Sequence, residues 1–110
     1  MRIFWLLVCS AMIIGGALPA HADHHEAQKA VLITGATTGI GRMAAEHLAR
    51  NGYFVYAGAR KDKDIEELDE IDNVKAVRLD VTIQEDIDAA VSFIRSEGRG
   101  LWGLVNNAGV

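Results

Sequence analysis

A short apolar run that ends in a glycine-rich turn is the feature that most restricts the fold of this chain. Ala30 to Thr34 (AVLIT) is apolar up to its last residue, as expected of a strand that is buried on both faces. Gly35, Gly39 and Gly41 follow within the segment TGATTGIG, and a helical pattern starts at Ile40. The order strand, glycine turn, helix predicts the first unit of an α/β sheet.

The alternation of strand and helix patterns continues to the end of the chain. It predicts an α/β, Rossmann-type doubly wound parallel sheet, of which this chain holds the N-terminal half with four strands in the order 3-2-1-4. No helix pattern follows the last strand to cover it, so we expect a truncated domain. The three further strands are predicted at Tyr53 to Ala57, Val74 to Leu79 and Leu101 to Val105.

Local signals mark where the predicted helices begin and end. Gly52 suits the left-handed position past the end of the first helix, and Gly98 ends the third. Thr82-x-x-Glu85 is a capping-box pattern, which predicts that Thr82 caps the start of the third helix. The face of the first helix expected to pack on the sheet comprises Ile40, Met43, Ala44, His47 and Leu48.

The N-terminal segment differs in character from the rest of the chain. Arg2, an apolar run over residues 3–18 and the small-residue site Ala20-His21-Ala22 form the pattern of a secretory signal peptide over residues 1–22. The run is slightly short of the ~20 residues of a membrane span, and an uncleaved anchor remains the alternative. We therefore predict an exported (periplasmic or secretory) or membrane-anchored protein, with a linker at 23–28 and a domain at 29–110.

Charge and cysteine content exclude several classes of protein. The net charge of -4 gives no electrostatic reason to expect a nucleic-acid partner. A single cysteine, Cys9, excludes an internal disulfide framework. Cleavage after Ala22 would expose Asp23-His24-His25, which could bind Cu(II) or Ni(II), but short histidine clusters often bind metal weakly and no metal site is predicted.

Each glycine of the turn has a physical role in phosphate binding. Gly35 lets the chain turn off the strand, Gly39 lets the backbone approach a pyrophosphate, and Gly41 allows close packing of the helix. The first turn of the helix then presents unpaired N–H groups and partial positive charge to the phosphates. The alternative is a glycine-rich turn that holds no ligand.

Three motifs in this order resemble the short-chain dehydrogenase/reductase family over residues 29–110. They are TGATTGIG, Leu79-Asp80-Val81-Thr82 and Asn106-Asn107-Ala108-Gly109. The resemblance implies an NAD(P)-dependent oxidoreductase, with Asp80 and Val81 beside the adenine and with Asn106, Ala108 and Gly109 beside a ribose. It also implies a pyrophosphate site formed by Gly35, Thr37, Thr38, Gly39, Ile40 and Gly41.

Two of these motifs could also have purely structural roles that involve no ligand. Asp80 could serve only as a turn residue before the third helix. Asn106 and Asn107 could serve only to hold the central strands together, since buried amides need hydrogen bonds in any case.

The residues after the second strand favour NADP as the cofactor, with NAD possible. NAD enzymes usually carry Asp or Glu there to bind the ribose 2′-hydroxyl, whereas this chain has Ala59 followed by Arg60. A guanidinium matches a 2′-phosphate in charge and shape, and Arg42 could assist. Asp62 lies close by in the sequence and complicates the prediction, and Arg60 could also be a solvated surface charge.

The catalytic Ser and the Tyr-x-x-x-Lys pair of the family would lie beyond Val110, so no catalytic residue is assigned and the chain alone is expected to be inactive. The segments FVYAG (54–58) and GLWGLVN (100–106) resemble the branch of the family that acts on retinol-like and steroid-like alcohols. This resemblance implies an alcohol or ketone substrate, with lipophilic compounds among the candidates. The full-length form is expected to be a homo-oligomer. A non-catalytic NADP sensor is the alternative function.

Overall fold

The computed structural model describes residues 28–109. The predicted signal peptide or anchor, nearly all of the predicted linker and the Asp23-His24-His25 segment lie outside the described residues. Along residues 28–109, none of the helices has both the length and the apolar character needed to cross a membrane.

Strands and helices alternate strictly along the described chain. The strands form a single parallel sheet in the order β3-β2-β1-β4, which confirms the predicted Rossmann-type topology. The order of the elements is β1 (Ala30–Ile33), α1 (Gly39–Arg50), β2 (Phe54–Ala59), α2 (Asp62–Asp69), β3 (Val74–Arg78), α3 (Gln84–Glu97) and β4 (Gly103–Val105).

The strand register brings the carboxyl ends of the strands to one edge of the sheet. Ile33 of β1 is paired with Ala57 of β2 on one side and with Val105 of β4 on the other. At the other end of the sheet order, Ala59 of β2 is paired with Arg78 of β3. The loops after all four strands therefore leave the same edge, which is where open α/β sheets bind ligands.

Apolar side chains form a separate core on each face of the sheet. On one face α1 and α2 pack against β1, β2 and β3, and Ile33, Val55 and Leu68 are fully buried there. On the other face α3 contributes Ala90 and Ile94 to a cluster around Tyr56. Burial of one such large side chain stabilises the fold by about 1.5–3 kcal/mol. These clusters therefore stabilise the sheet from which the loops at its carboxyl edge leave.

The packing face of α1 differs from the predicted one. Gly41, Ala45 and Ala49 are buried, whereas Ile40 is 78% exposed and Met43 is 68% exposed in the described chain. The prediction was wrong for Ile40, Met43 and His47, and right for Ala44 and Leu48, which pack at the margin of the core. A row of small residues at i, i+4 spacing lets the helix lie close to the sheet, and a ranking by hydrophobicity overlooks such a row.

The start of α3 also differs from the prediction. The helix begins at Gln84, its N-cap is Ile83, and no side chain caps it. The Thr82 hydroxyl instead donates a hydrogen bond to Asp80 Oδ1 at 2.6 Å. The capping box was therefore wrong, because the nearby carboxylate competes for the hydroxyl. The predicted glycine at the helix end is confirmed, since Gly98 has φ 78°.

Candidate cofactor site

A crevice lies along the carboxyl edge of the sheet, between the loops that follow the four strands. Its volume of about 290 Å³ is at the small end for a ligand pocket, and it is open to solvent along the edge. It is lined by Gly35, Thr37, Thr38, Gly58, Ala59, Arg60, Leu79, Asp80, Val81, Thr82, Asn107, Ala108 and Gly109.

Two glycines of the turn are required by close packing. A Cβ atom on Gly41 would lie 2.3 Å from the Gly35 carbonyl oxygen and 2.5 Å from Asn107 Nδ2. A Cβ atom on Gly35, which has φ 65°, would lie 2.9 Å from Ala108 Cα. Both positions therefore exclude a side chain, and the turn is held directly against the loop that follows β4.

Gly39 lacks a side chain for a different reason than Gly35 and Gly41 do. Its φ of 60° lies in the left-handed region that favours glycine, and a Cβ atom there would meet no protein atom within 4 Å. The absence of a side chain at Gly39 therefore leaves open space at the start of α1 instead of relieving a clash inside the protein.

The N-terminus of α1 presents unpaired donors to this open space. Thr38 is the N-cap and makes no side-chain cap hydrogen bond, and the first turn contains no acidic residue. The first N–H groups of a helix have no partner within the helix, and the helix dipole adds partial positive charge there. This end of α1 can therefore bind a phosphate group through its backbone.

Arg42, predicted as a possible aid to NADP binding, has other partners. Its Nε donates to Glu46 Oε2 at 2.8 Å, and its Nη1 donates to the Thr37 carbonyl oxygen at 3.5 Å. These contacts tie the side chain to α1 and to the glycine turn.

Thr34 organises the loop after β4 through its buried hydroxyl. Its Oγ1 accepts hydrogen bonds from the backbone N–H groups of Asn107 and Ala108, both at 2.9 Å, and donates to Asn106 Oδ1 at 3.4 Å. Asn107 Nδ2 donates to the Gly35 carbonyl oxygen at 3.0 Å. The asparagine pair thus has the structural role described above, and Asn107 also lines the crevice.

Asp80 stands at the opposite end of the crevice from β4. Its Oδ1 accepts hydrogen bonds from the Thr82 hydroxyl and from the Thr82 N–H, at 2.6 and 2.9 Å. These bonds, and to a smaller extent the charge of Arg60, hold the pKa of Asp80 below its usual value, so the group is a carboxylate at neutral pH. Asp80 Oδ2 has no hydrogen-bond partner within residues 28–109 and can accept one from a ligand.

Arg60 lies on the rim of the crevice directly after β2. Its side chain is exposed, and no hydrogen bond within the described part of the chain engages its guanidinium. Asp62, which complicated the prediction, forms an ion pair with Arg78. The rim of the crevice at β2 therefore presents the Arg60 guanidinium, and the Asp62 carboxylate beside it is already paired.

The crevice brings together most of the residues predicted from sequence. Gly41 is buried beneath the turn, Ile40 points to solvent, and Gly39 and Asn106 lie beside the crevice without lining it. The predicted residues that line it are Gly35, Thr37, Thr38, Arg60, Asp80, Val81, Ala108 and Gly109.

Sequence reasoning missed several residues of the crevice and its support. Thr34 was recognised as the last residue of a strand and the first of the TGATTGIG motif but was given no role, although a hydroxyl just before a glycine turn is a potential partner for NNAG. Gly58 also escaped notice, and its Cβ would lie 3.2 Å from the Ile33 carbonyl oxygen. The lining is completed by Ala59, Leu79, Thr82 and Asn107.

The parallel sheet of order 3-2-1-4, with helices on both faces and a glycine turn at its carboxyl edge, defines a Rossmann-type α/β domain. A family model described as short chain dehydrogenase matches residues 29–110. The chain therefore belongs to the short chain dehydrogenase family, whose members are oxidoreductases that use nicotinamide cofactors.

Individual relatives agree with this assignment. The mitochondrial D-beta-hydroxybutyrate dehydrogenase of Bos taurus is 45% identical, with 74% of this chain and 27% of the relative covered. The 17-beta-hydroxysteroid dehydrogenase type 6 of Mus musculus is 44% identical, with 78% of this chain and 28% of the relative covered. A solved structure of an ElxO variant with NADPH bound has a TM-score of 0.68 and 32% identity, with 76% of this chain and 36% of that chain covered.

These alignments also define how much of such a protein the chain represents. The chain spans only 27–28% of the length of the two curated relatives. The activity, substrate and partners of a whole protein are therefore taken up as proposals below.

Proposed function

We propose that this chain is the cofactor-binding part of an NADP-dependent oxidoreductase that interconverts an alcohol and a carbonyl compound. The observation that carries the proposal is the crevice itself, which joins the glycine turn, Asp80 and the exposed Arg60 along one edge of the sheet. These are the groups that a dinucleotide needs at its pyrophosphate, adenine and ribose phosphate, in that order.

The residues fit the cofactor from one end to the other. The pyrophosphate would bind at the N-terminus of α1, against the turn from Gly35 to Gly41, where N–H groups would neutralise its charge. Asp80 Oδ2 would accept a hydrogen bond from the adenine amino group, with Val81 beside the ring. Asn106, Ala108 and Gly109 would lie along the ribose nearer the nicotinamide, on a loop that Thr34 holds in place.

NADP is favoured over NAD by the charges at the end of β2. A carboxylate at the position of Ala59 would accept a hydrogen bond from a 2′-hydroxyl and would repel a 2′-phosphate. This chain has a methyl group at Ala59 and the guanidinium of Arg60 next to it. The NADPH in the ElxO neighbour adds support from a protein of similar fold.

The chemistry follows from the bound cofactor and from groups outside this chain. The nicotinamide supplies or accepts a hydride when it is bound. Residues 28–109 bind and orient it, and the groups that move the proton are expected beyond Val110. The relatives named above are dehydrogenases of a hydroxy acid and a hydroxysteroid, which supports an alcohol substrate, with lipophilic alcohols among the candidates, and favours an enzyme over a non-catalytic NADP sensor.

We also propose that residues 3–18 direct the protein to a membrane or to an export pathway, and that the whole protein is a homo-oligomer. The apolar run after Arg2 supports the first part. Fractionation of cells, followed by sequencing of the mature N-terminus, tests it. A protein that retains Met1 in the soluble cytosolic fraction would contradict both forms of the targeting proposal.

Fluorescence titration of the whole protein with NADPH and NADH tests the cofactor. We expect the wild type to bind NADPH more tightly than NADH. We expect Arg60→Asp to weaken NADPH binding by roughly 10- to 100-fold and to reverse the cofactor preference, since a charge-assisted contact becomes a repulsion. Arg50→Asp makes the same charge change at the opposite edge of the sheet and should leave both affinities unchanged. An unaltered preference in Arg60→Asp would refute the assignment of Arg60.

A further inference from the structure

Arg78 makes two contacts across the turn that follows β2. It is the last residue of β3 and is the register partner of Ala59. Its Nη1 donates a hydrogen bond to the Arg60 carbonyl oxygen at 2.6 Å, and its Nη2 forms an ion pair with Asp62 Oδ1. One guanidinium thus holds the backbone at Arg60 and the carboxylate two residues later.

The stability of the fold does not explain this arrangement. The side chain of Arg78 is 49% exposed and that of Asp62 is 88% exposed. Ion pairs at such exposure are screened by solvent and contribute little to the free energy of unfolding. A role for the pair is therefore better sought in the local charge balance of the crevice rim.

The charge balance at the rim depends on which partner Asp62 has. Without Arg78, the carboxylate of Asp62 would lie unneutralised two residues from Arg60. It could then capture the Arg60 guanidinium, and its own charge would oppose a phosphate at the rim. With Arg78 present, Asp62 is neutralised and the Arg60 guanidinium remains available.

We propose that Arg78 is a positioning residue for cofactor selection, which neutralises Asp62 so that the Arg60 guanidinium stays available to bind the 2′-phosphate. This inference rests on the NADP preference proposed above. It adds that the preference depends on a cation on the neighbouring strand that need not touch the cofactor. This contact could not be predicted from the sequence, because Arg78 and Arg60 lie 18 residues apart and meet only through the β2–β3 pairing.

A double-mutant cycle in the whole protein tests the inference. The variants are Arg78→Ala, Asp62→Asn and the double variant, with dissociation constants for NADPH and NADH measured by fluorescence titration at low salt. We expect Arg78→Ala to weaken the binding of NADPH about five-fold and to leave the affinity for NADH within about two-fold of the wild type. The reason is that only NADPH carries a 2′-phosphate, which the released Asp62 carboxylate would repel. Asp62→Asn should bind NADPH at least as tightly as the wild type.

The double variant distinguishes charge relief from simple structural damage. Removal of the Asp62 charge should restore NADPH binding in the Arg78→Ala background to within about two-fold of Asp62→Asn, which damage to the turn would not allow. Arg95→Ala removes a cation from the last turn of α3 and serves as the matched control, with no change in cofactor preference. Thermal unfolding should be nearly the same for all variants.

The outcomes separate this inference from the proposed function. A wild type that prefers NADPH, together with an Arg78→Ala variant that binds both cofactors as before or loses both equally, overturns the role of Arg78 alone. Failure of the double variant to recover also overturns it. A wild type that prefers NADH contradicts the proposed cofactor itself, whatever the Arg78 variants show.

Discussion

The hydroxyl of Thr34 accepts a hydrogen bond from the backbone N–H of Asn107 at 2.9 Å, and this bond joins the carboxyl ends of β1 and β4. The same hydroxyl also receives the N–H of Ala108. Thr34 is 5% exposed, and both hydrogen bonds are partly buried. Together with the hydrogen bond from Asn107 to the Gly35 carbonyl oxygen, this hydroxyl therefore joins the two walls of the crevice nearest the glycine turn.

Removal of that oxygen should cost both stability and cofactor affinity. Thr34→Val keeps the shape of the side chain but leaves two partly buried N–H groups without their acceptor, and we expect a loss of about 1–3 kcal/mol in the free energy of unfolding. Thr34→Ser keeps the hydroxyl and loses one buried methyl group, which should cost only about 0.8 kcal/mol. Denaturant unfolding of both variants measures the difference, and equal losses would contradict the role of the hydroxyl.

Two glycines that both have a positive φ angle allow backbone strain to be separated from ligand binding. Gly39 has φ 60° and Gly98 has φ 78°, and a Cβ atom on either would meet no protein atom within 4 Å. Alanine at each should therefore destabilise the fold by a similar amount, about 1–2 kcal/mol, because L-residues disfavour this region. Only Gly39→Ala should also weaken NADPH binding, since its methyl group would enter the space proposed for the pyrophosphate.

Titration with NADPH and denaturant unfolding of the two variants provide both readouts. A Gly39→Ala variant that binds NADPH as tightly as Gly98→Ala does would show that the space in front of α1 is not used by the cofactor.

Asp80 should make acid unfolding depend on its ionisation. Hydrogen bonds from Thr82 hold the pKa of Asp80 below the usual 3.8, so the folded state binds its proton less tightly than the unfolded chain does. The stabilisation is therefore fully present above pH 3.8 and is lost as the pH falls through the lower folded value. Asp80→Asn cannot titrate, so its stability should fall less steeply than that of the wild type over this acidic window.

Denaturant unfolding at neutral pH and at steps below pH 3.8 measures this difference in slope. Asp72→Asn, which alters an exposed carboxylate at the opposite edge of the sheet, is the matched control and should follow the wild type. A parallel pH dependence of Asp80→Asn and wild type would show that the Thr82 bonds do not favour the ionised form.

The sequence predicted the elements well because their signals are local. The C-terminal boundaries of β1 and β3 were wrong by one residue, since the strands end at Ile33 and at Arg78 and not at the predicted Thr34 and Leu79. β2 extends through Ala59, two residues past its predicted end, because Gly58 and Ala59 remain paired with β3. β4 starts only at Gly103, since it gains its partner on β1 there.

Predictions failed where two distant or competing groups decide the result. The buried face of α1 is set by how closely Ala45 and Ala49 approach the sheet, and the intrinsic hydrophobicity of Met43 does not reveal that distance. Thr82 was expected to cap α3 because its spacing to Glu85 is right, but the side chain of Asp80 lies nearer and takes its hydroxyl.

The sequence by itself determined the order of strands and helices, the glycine turn and the kinds of side chain at the carboxyl edge of the sheet. These depend on periodicity, on turn chemistry and on motif spacing, which act over a few residues. Only the tertiary structure decided that Thr34 binds the backbone of Asn107 and that Arg78 forms an ion pair with Asp62. Such partners are brought together by strand pairing between residues far apart in the chain, and no local pattern encodes the direction in which their side chains meet.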